Sequence, residues 1–317
     1  MGLLGHLKAI AAGASSLLFV SAAAAECIAA PDLAPYQNAS PEDFAFGAAR
    51  SDRLGRVVAQ VTVNGRGPFR FIVDTGANRS AVSPGLAAAL GLTPHGEENV
   101  HSIHGVSPAP LVSVERLQYG EVSLNAAALP MLGGSVLAGE DGLLGVDGMS
   151  GRRLRMDFDR NCIEIIPSAQ ARRLRGWSTI RGDMRFGHLI VVPGSIDGIR
   201  VNLLIDTGSD SSLANNALRE ALDTRLRRRG REVIANTAGE NVVLRNIITV
   251  PRMTMGELTV RNVTAFVGDY HIFQIWDLID EPTLLIGMDV LSQARGLAID
   301  YGRSTVHLQI HDRLRIN

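Results

Sequence analysis

The chain has 317 residues, 46% of them hydrophobic, and a formal net charge of −1. That balance excludes a global pull toward nucleic acid or an anionic membrane, and the length suffices for two cored lobes. Residues 1–25 read as a secretory signal: Lys8 supplies the positive charge, 9–20 an apolar run, and Ala23-Ala24-Ala25 a small-residue cleavage site before Glu26. The run is short and Ala-rich for a membrane span, and no later stretch could span a bilayer. The expectation is an exported protein, periplasmic or secreted, with no stable membrane insertion after cleavage; an uncleaved anchor is the alternative. Glu26 beside Cys27 argues against a lipoprotein signal.

Residues 26–52, rich in Ala, Pro, Ser and Asp, read as an irregular arm. A first lobe is expected over 53–166, with strands at 57–63, 69–73, 112–117 and 163–166. The polar, arginine-rich stretch 167–177 reads as a linker. A second lobe follows over 178–317, with strands at 189–196, 201–205, 242–250, 258–267 and 306–310. Short strands dominate and helices are few, so the fold class is all-β.

One stretch occurs twice. Phe71-Ile72-Val73 delivers Asp74-Thr75-Gly76-Ala77, and Leu203-Leu204-Ile205 delivers Asp206-Thr207-Gly208-Ser209. Each apolar run reads as the end of a buried strand, where an aspartate is costly unless hydrogen-bonded or paired. The surroundings match as well. Val63-Asn64-Gly65 and Ile196-Asp197-Gly198 read as hairpin turns leading into the two strands. Six residues past each aspartate stands a serine, Ser80 or Ser212; nine past stands a helix-capping residue, Ser83 or Asn215, with a helical stretch behind it. Pro84 suits a first helical position and Gly91 a C-terminal cap. Leu143-Leu144-Gly145 and Leu285-Ile286-Gly287 follow, and each half closes alike, with Arg155-Met156-Asp157-Phe158 and Ala298-Ile299-Asp300-Tyr301. A repeat of about 130 residues is too long for a solenoid unit and reads as two homologous lobes. Two turn aspartates satisfied by local amides would be the plain structural explanation of one copy; the whole lobe pattern repeating around both argues against it.

Asp-Thr-Gly after an apolar strand, with a later apolar-apolar-Gly, resembles the retropepsin-like and pepsin-like aspartic proteases. The resemblance covers about residues 54–310, and Leu284-Leu285-Ile286-Gly287-Met288-Asp289-Val290-Leu291 is most similar to the bacterial retropepsin-like group. It implies two closed β-barrel lobes about a pseudo-twofold axis, in one chain that is its own pseudo-dimer and otherwise a monomer. It also implies a peptide or protein substrate and no cofactor. Asp74 and Asp206 would share one proton and activate a water between them; the handling of two close carboxylates in this enzyme class is well established. Thr75 and Thr207 would hydrogen-bond across the interface, and Gly76 and Gly208 would let the loops approach. Ala77 and Ser209 complete the loops. Because only Ser209 carries a hydroxyl, Asp206 is expected to be the ionised member and Asp74 the protonated one.

The resemblance also implies flaps. Ile103-His104-Gly105 ends 31 residues after Asp74, and Thr237-Ala238-Gly239 ends 33 after Asp206, so flaps from both lobes are expected. Neither holds the pepsin-type tyrosine. The second lobe carries extra residues around Tyr270-His271-Ile272-Phe273-Gln274-Ile275-Trp276, expected to pack on the lobe. Two readings from other classes compete: a peptide-binding descendant with a dead site, and a two-carboxylate glycosidase, which wants its carboxyls farther apart.

Elsewhere the patterns are bland. His95, His101 and His104 fit no strong zinc spacing, and no metal is expected. The five arginines from Arg225 to Arg231 read as a solvated loop rather than a nucleic-acid site. Gly133-Gly134 and the glycines from Gly139 to Gly148 lack the ending of a phosphate loop. Asn78-Arg79-Ser80 and Asn262-Val263-Thr264 match glycosylation acceptors, but Asn78 falls inside the Asp74 loop. Cys27 and Cys162 are the only cysteines, and an exported chain is expected to join them, pinning the arm to the first lobe.

Overall fold

The computed structural model describes residues 28–29 and 56–310, apart from 104, 121, 161, 223–232, 238–239 and 245–246. The signal segment, most of the arm, Cys27 and the arginine cluster 225–231 therefore lie outside the described residues. The first half contributes β1 (Ile28–Ala29), β2 (Val58–Val63), β3 (Arg66–Val73), β4 (Ala81–Val82), β5 (Pro94–His101), β6 (Val106–Tyr119), β7 (Val122–Pro130), β8 (Gly142–Leu144), β9 (Arg152–Asp157) and β10 (Cys162–Pro167). The second contributes β11 (Ser178–Arg181), β12 (Asp183–Arg185), β13 (Leu189–Ile196), β14 (Ile199–Ile205), β15 (Ser212–Ala214), β16 (Val233–Thr237), β17 (Glu240–Leu244), β18 (Ile247–Met255), β19 (Leu258–Val267), β20 (Thr283–Ile286), β21 (Gly296–Asp300) and β22 (Thr305–Gln309).

The two turns into the aspartate strands are built alike. Asn64 and Gly65 have φ of 50° and 73°, Asp197 and Gly198 48° and 83°. Two successive positive φ values make a hairpin whose twist suits its strands, and Asn-Gly and Asp-Gly tolerate them best. The helices also start as their sequences dictate. Ser83 accepts the Leu86 amide ahead of α1 (Pro84–Leu90), and Gly91 ends it at φ 69°. Asn215 accepts the Leu218 amide ahead of α2 (Asn216–Ala221). Two shorter helices follow, α3 (His271–Ile275) and α4 (Met288–Leu291).

The all-β, two-lobe reading holds, with one difference between the lobes. In lobe two β13, β14, β20, β15, β19 and β18 are neighbours in that order, and β18 returns to β13, closing a six-stranded barrel. Lobe one runs β4, β8, β3, β2, β6, β5, with β7 on β6, and is a half-barrel. Among the described residues its ring is spanned by a single bridge, Val82 to Met131. The next donor back along a parallel ladder there is the nitrogen of Pro130, which has no hydrogen, so the pairing cannot extend.

A third sheet joins the halves. Its order is β1, β10, β9, β21, β22, β11, and the two closing segments of the repeat pair with each other: Leu154 faces Ile299 and Met156 faces Leu297. One apolar cluster runs through both lobes and this sheet, from Val61 and Phe71 to Leu203, Ile299 and Val306.

Cys162, at the head of β10, is disulfide-bonded, and Cys27 is the only other cysteine of the chain. The strand just after Cys27 lies on β10, with Ile28 opposite Ile163 and Ala29 opposite Cys162. Mass spectrometry of the unreduced protein is expected to find no alkylatable thiol; two would show that the arm is held by strand pairing alone.

Candidate active site

Buried parallel pairing delivers both aspartates. β3 lies on β8, Val73 opposite Leu144, and β14 lies on β20, Ile205 opposite Ile286. The Asp74 amide donates to Leu144 O at 2.9 Å and the Asp206 amide to Ile286 O at 3.0 Å. The apolar-apolar-Gly strands thus hold the aspartates at equivalent points, and their glycines make room. A Cβ on Gly145 would lie 2.5 Å from the Arg79 carbonyl carbon, and one on Gly287 2.6 Å from that of Ser211. Side-chain carbons do not approach backbone that closely.

The loops meet at the pseudo-twofold axis. Thr75 Oγ1 donates to Ile205 O at 2.8 Å, and Thr207 Oγ1 donates to Val73 O at 2.7 Å. Each hydroxyl then accepts the opposite threonine's amide, at 3.2 Å for Thr75 N and 3.1 Å for Thr207 N. Thr75 is 4% exposed and Thr207 0%, so these four bonds form without competition from water. The glycines press on the opposite carboxyls: a Cβ on Gly208 would stand 2.2 Å from Asp74 Cγ, and one on Gly76 2.8 Å from Asp206 Cγ.

Asp74 and Asp206 lie within hydrogen-bonding reach of one another and are nearly closed off, at 5% and 8% exposure. Asp74 Oδ1 accepts the amides of Gly76 at 2.9 Å and Ala77 at 3.0 Å; Asp206 Oδ1 accepts that of Gly208 at 2.9 Å. Burial raises both carboxyls above the usual range. Asp206 is raised further, because the charge of Asp74 faces it. Amides, Asp206 itself and the charge of Arg56 all act to favour the ionised form of Asp74. Two acids this close and this buried cannot both ionise, so they hold one proton between them.

The hydroxyl argument for placing that proton, from Ala77 and Ser209, loses its premise. Ser209 Oγ donates to Ser211 O at 2.7 Å, so its single proton is committed within its own loop and cannot serve Asp206. Arg56, a buried residue (7% exposed) whose Nη1 donates to Val136 O at 3.0 Å, also sets its charge toward Asp74. Nothing in the sequence near Arg56 announces this, since it stands well before the aspartate loop.

The two serines found by their matched spacing have matched roles. Ser80 Oγ accepts the Gly145 amide at 3.1 Å and donates to Asp147 Oδ1 at 2.6 Å. Ser212 Oγ accepts the Gly287 amide at 3.1 Å and donates to Asp289 Oδ1 at 2.8 Å. Sequence reasoning missed Asp147 and Asp289 as site residues; the signal that could have found them is an aspartate two positions beyond each apolar-apolar-Gly.

Of the flap residues, His104, Ala238 and Gly239 lie outside the described residues. β5 and β6 form one hairpin, closed by the Ser102 amide on Gly105 O at 2.8 Å; β16 and β17 form the other, with Thr237 opposite Glu240. The lobe-one tip crosses to lobe two. Ile103, 5% exposed, joins the apolar cluster of Tyr270, Phe273 and Trp276, and its carbonyl accepts the His271 amide at 2.8 Å. The 270–276 segment thus packs on its lobe, as expected, and also receives the opposite flap. His101 and His271 meet there with ring nitrogens 2.9 Å apart, while His95 is engaged by Leu111 O and Ser113.

Two pseudo-symmetric β lobes, each presenting a buried Asp-Thr-Gly carboxyl to the other across a threonine bridge, define an aspartic-protease type of fold and site. Consistent with that, a family profile described as aspartyl protease matches twice, over residues 59–147 and 192–290, together more than half of the chain. The chain belongs to the aspartyl protease family. No curated protein matches it.

Proposed function

We propose that the protein is an exported, single-chain aspartic endopeptidase in which Asp74 and Asp206 cleave peptide bonds with an activated water. The observation that carries the reading is the carboxyl pair itself: two buried acids in mutual hydrogen-bonding reach, held by a reciprocal threonine bridge. That closeness also disfavours the glycosidase reading, which needs carboxyls at least about 5 Å apart.

In this reading the ionised member of the pair takes a proton from the water as its oxygen attacks the peptide carbonyl carbon. The protonated member gives its proton to the carbonyl oxygen. The resulting diol collapses as the amide nitrogen takes up a proton and the C–N bond breaks, and the carboxyl pair again holds one proton. No covalent enzyme intermediate is needed. Both carboxyls are nearly closed off, so the groups around them must move apart to admit substrate. Export to the periplasm or outside, with residues 1–25 as the signal, belongs to the same proposal, as does a monomer acting as its own dimer.

A digest of a peptide library, with and without a statine-type inhibitor, tests it. Cleavage between apolar residues that the inhibitor blocks is expected. Tight binding of peptides without cleavage would make the protein a binding descendant instead.

A further inference from the structure

Each aspartate loop is gripped by the turn that follows the apolar-apolar-Gly strand. In lobe two this turn bonds the loop along its whole length: Ile286 O takes the Asp206 amide, the Met288 amide donates to Ser209 O at 2.9 Å, and the Asp289 amide donates to Asp210 O at 3.1 Å. Ser212 closes the grip. Its hydroxyl takes the Gly287 amide and gives its only proton to Asp289 Oδ1. The Gly208 amide that fixes Asp206 belongs to the gripped loop.

The corresponding acid of lobe one, Asp147, has a cation acting on it, Arg79, on the loop beside Ser80. Lobe two has Ser211 in the place of Arg79 and Asp210 in the place of Asn78. Asp210, 9% exposed, therefore sets a second carboxyl against Asp289 where lobe one has a positive charge. The strands beside α4 that join this grip, β15 and β20, carry no titratable side chain. Ser212 and the Val290 amide, which also contact Asp289, are neutral.

Resting on the protease reading, we propose that Asp289 is a positioning residue for Asp206, acting through Ser212, and that it does so as a neutral acid. A carboxylic acid suits this role, because its carbonyl oxygen still accepts the Ser212 proton and no charge is buried against Asp210. Burial first, and then Asp210, push the Asp289 carboxyl up to about 7, against the opposing effect of Ser212. Unfolded, the same group titrates near about 3.9. A folded carboxyl raised in this way gives stability that is complete below about 4 and is lost as pH climbs through about 7. The lobe-two grip is thus an acid-favoured element of the site.

The test compares wild type, Asp289→Asn and Asp289→Leu in cleavage kinetics and in thermal unfolding from pH 4 to pH 8. The Leu variant removes the acceptor at similar bulk; a loss in kcat of about tenfold or more is expected, with KM little changed, because the Asp206 loop drifts. The Asn variant keeps the acceptor and cannot ionise, so it should rescue most of that loss and move the alkaline limb upward. Its melting temperature should also fall less than that of wild type between pH 5 and pH 8. Equal damage from Asn and Leu, or an unaffected Leu variant, would overturn the positioning role. Identical melting-temperature slopes in wild type and the Asn variant would overturn the neutral-acid claim. The unfolding measurement needs no activity, so a chain that cleaved nothing would sink the protease reading and leave this arm decisive for Asp289.

Discussion

Asp74→Asn and Asp206→Asn are each expected to lower peptide cleavage by about 10⁴-fold or more, because residues acting as one unit lose nearly everything when either is removed. The shared proton is the reason. With Asn at either position the one remaining carboxyl cannot both accept the water's proton and donate to the carbonyl oxygen. Neither change should harm folding. Asn keeps an oxygen for the Gly76 and Ala77 amides at one site, or the Gly208 amide at the other. Each substitution also removes one of two carboxyls that burial and mutual repulsion oppose, so unfolding at neutral pH should be unchanged or harder. Initial rates with a peptide substrate, set beside circular dichroism, check both halves. Near-native turnover in either variant would mean that the two loops do not form one site.

The second large effect is on stability and concerns the bridge. Thr207→Val keeps volume and β-branching but deletes the hydroxyl that donates to Val73 O and accepts from Thr75 N. Both partners belong to buried residues, Val73 at 2% and Thr75 at 4% exposure. A buried polar group left unpaired costs about 1–3 kcal/mol, so the expected loss is about 2–6 kcal/mol. Against a usual stability of about 5–15 kcal/mol, that is a large share. Thr207→Ser should recover most of it, since the hydroxyl alone makes the bonds. Urea unfolding of the three proteins measures this; a loss below about 1 kcal/mol for the Val variant, less than one unpaired buried group costs, would show that the bridge is dispensable. Cleavage should fall with stability, because the bridge also fixes where the two carboxyls meet.

Much of this protein is legible in its sequence because much of it is local. Apolar runs ending in Asp-Thr-Gly, Asn-Gly and Asp-Gly turns, and Ser83 and Asn215 as caps each state their geometry within a few residues. Repetition of the whole series then implies two lobes and one shared site. What the sequence could not determine is what depends on partners far along the chain. The closing segments of the two halves look like equivalent ends, yet they pair with each other as β9 and β21. Alternation shows which face of a strand is buried but not which strand it will meet. Ser209 looks like the donor that distinguishes the aspartates, and only the fold decides that its proton goes to Ser211, while the charge of Arg56, from before β2, is brought to act on Asp74. The serines at matched spacing are visible, but their acceptors Asp147 and Asp289 lie 67 and 77 residues away. Hydrogen bonding inside a core is set by which groups burial leaves without water, and that is decided only when the lobes close on each other.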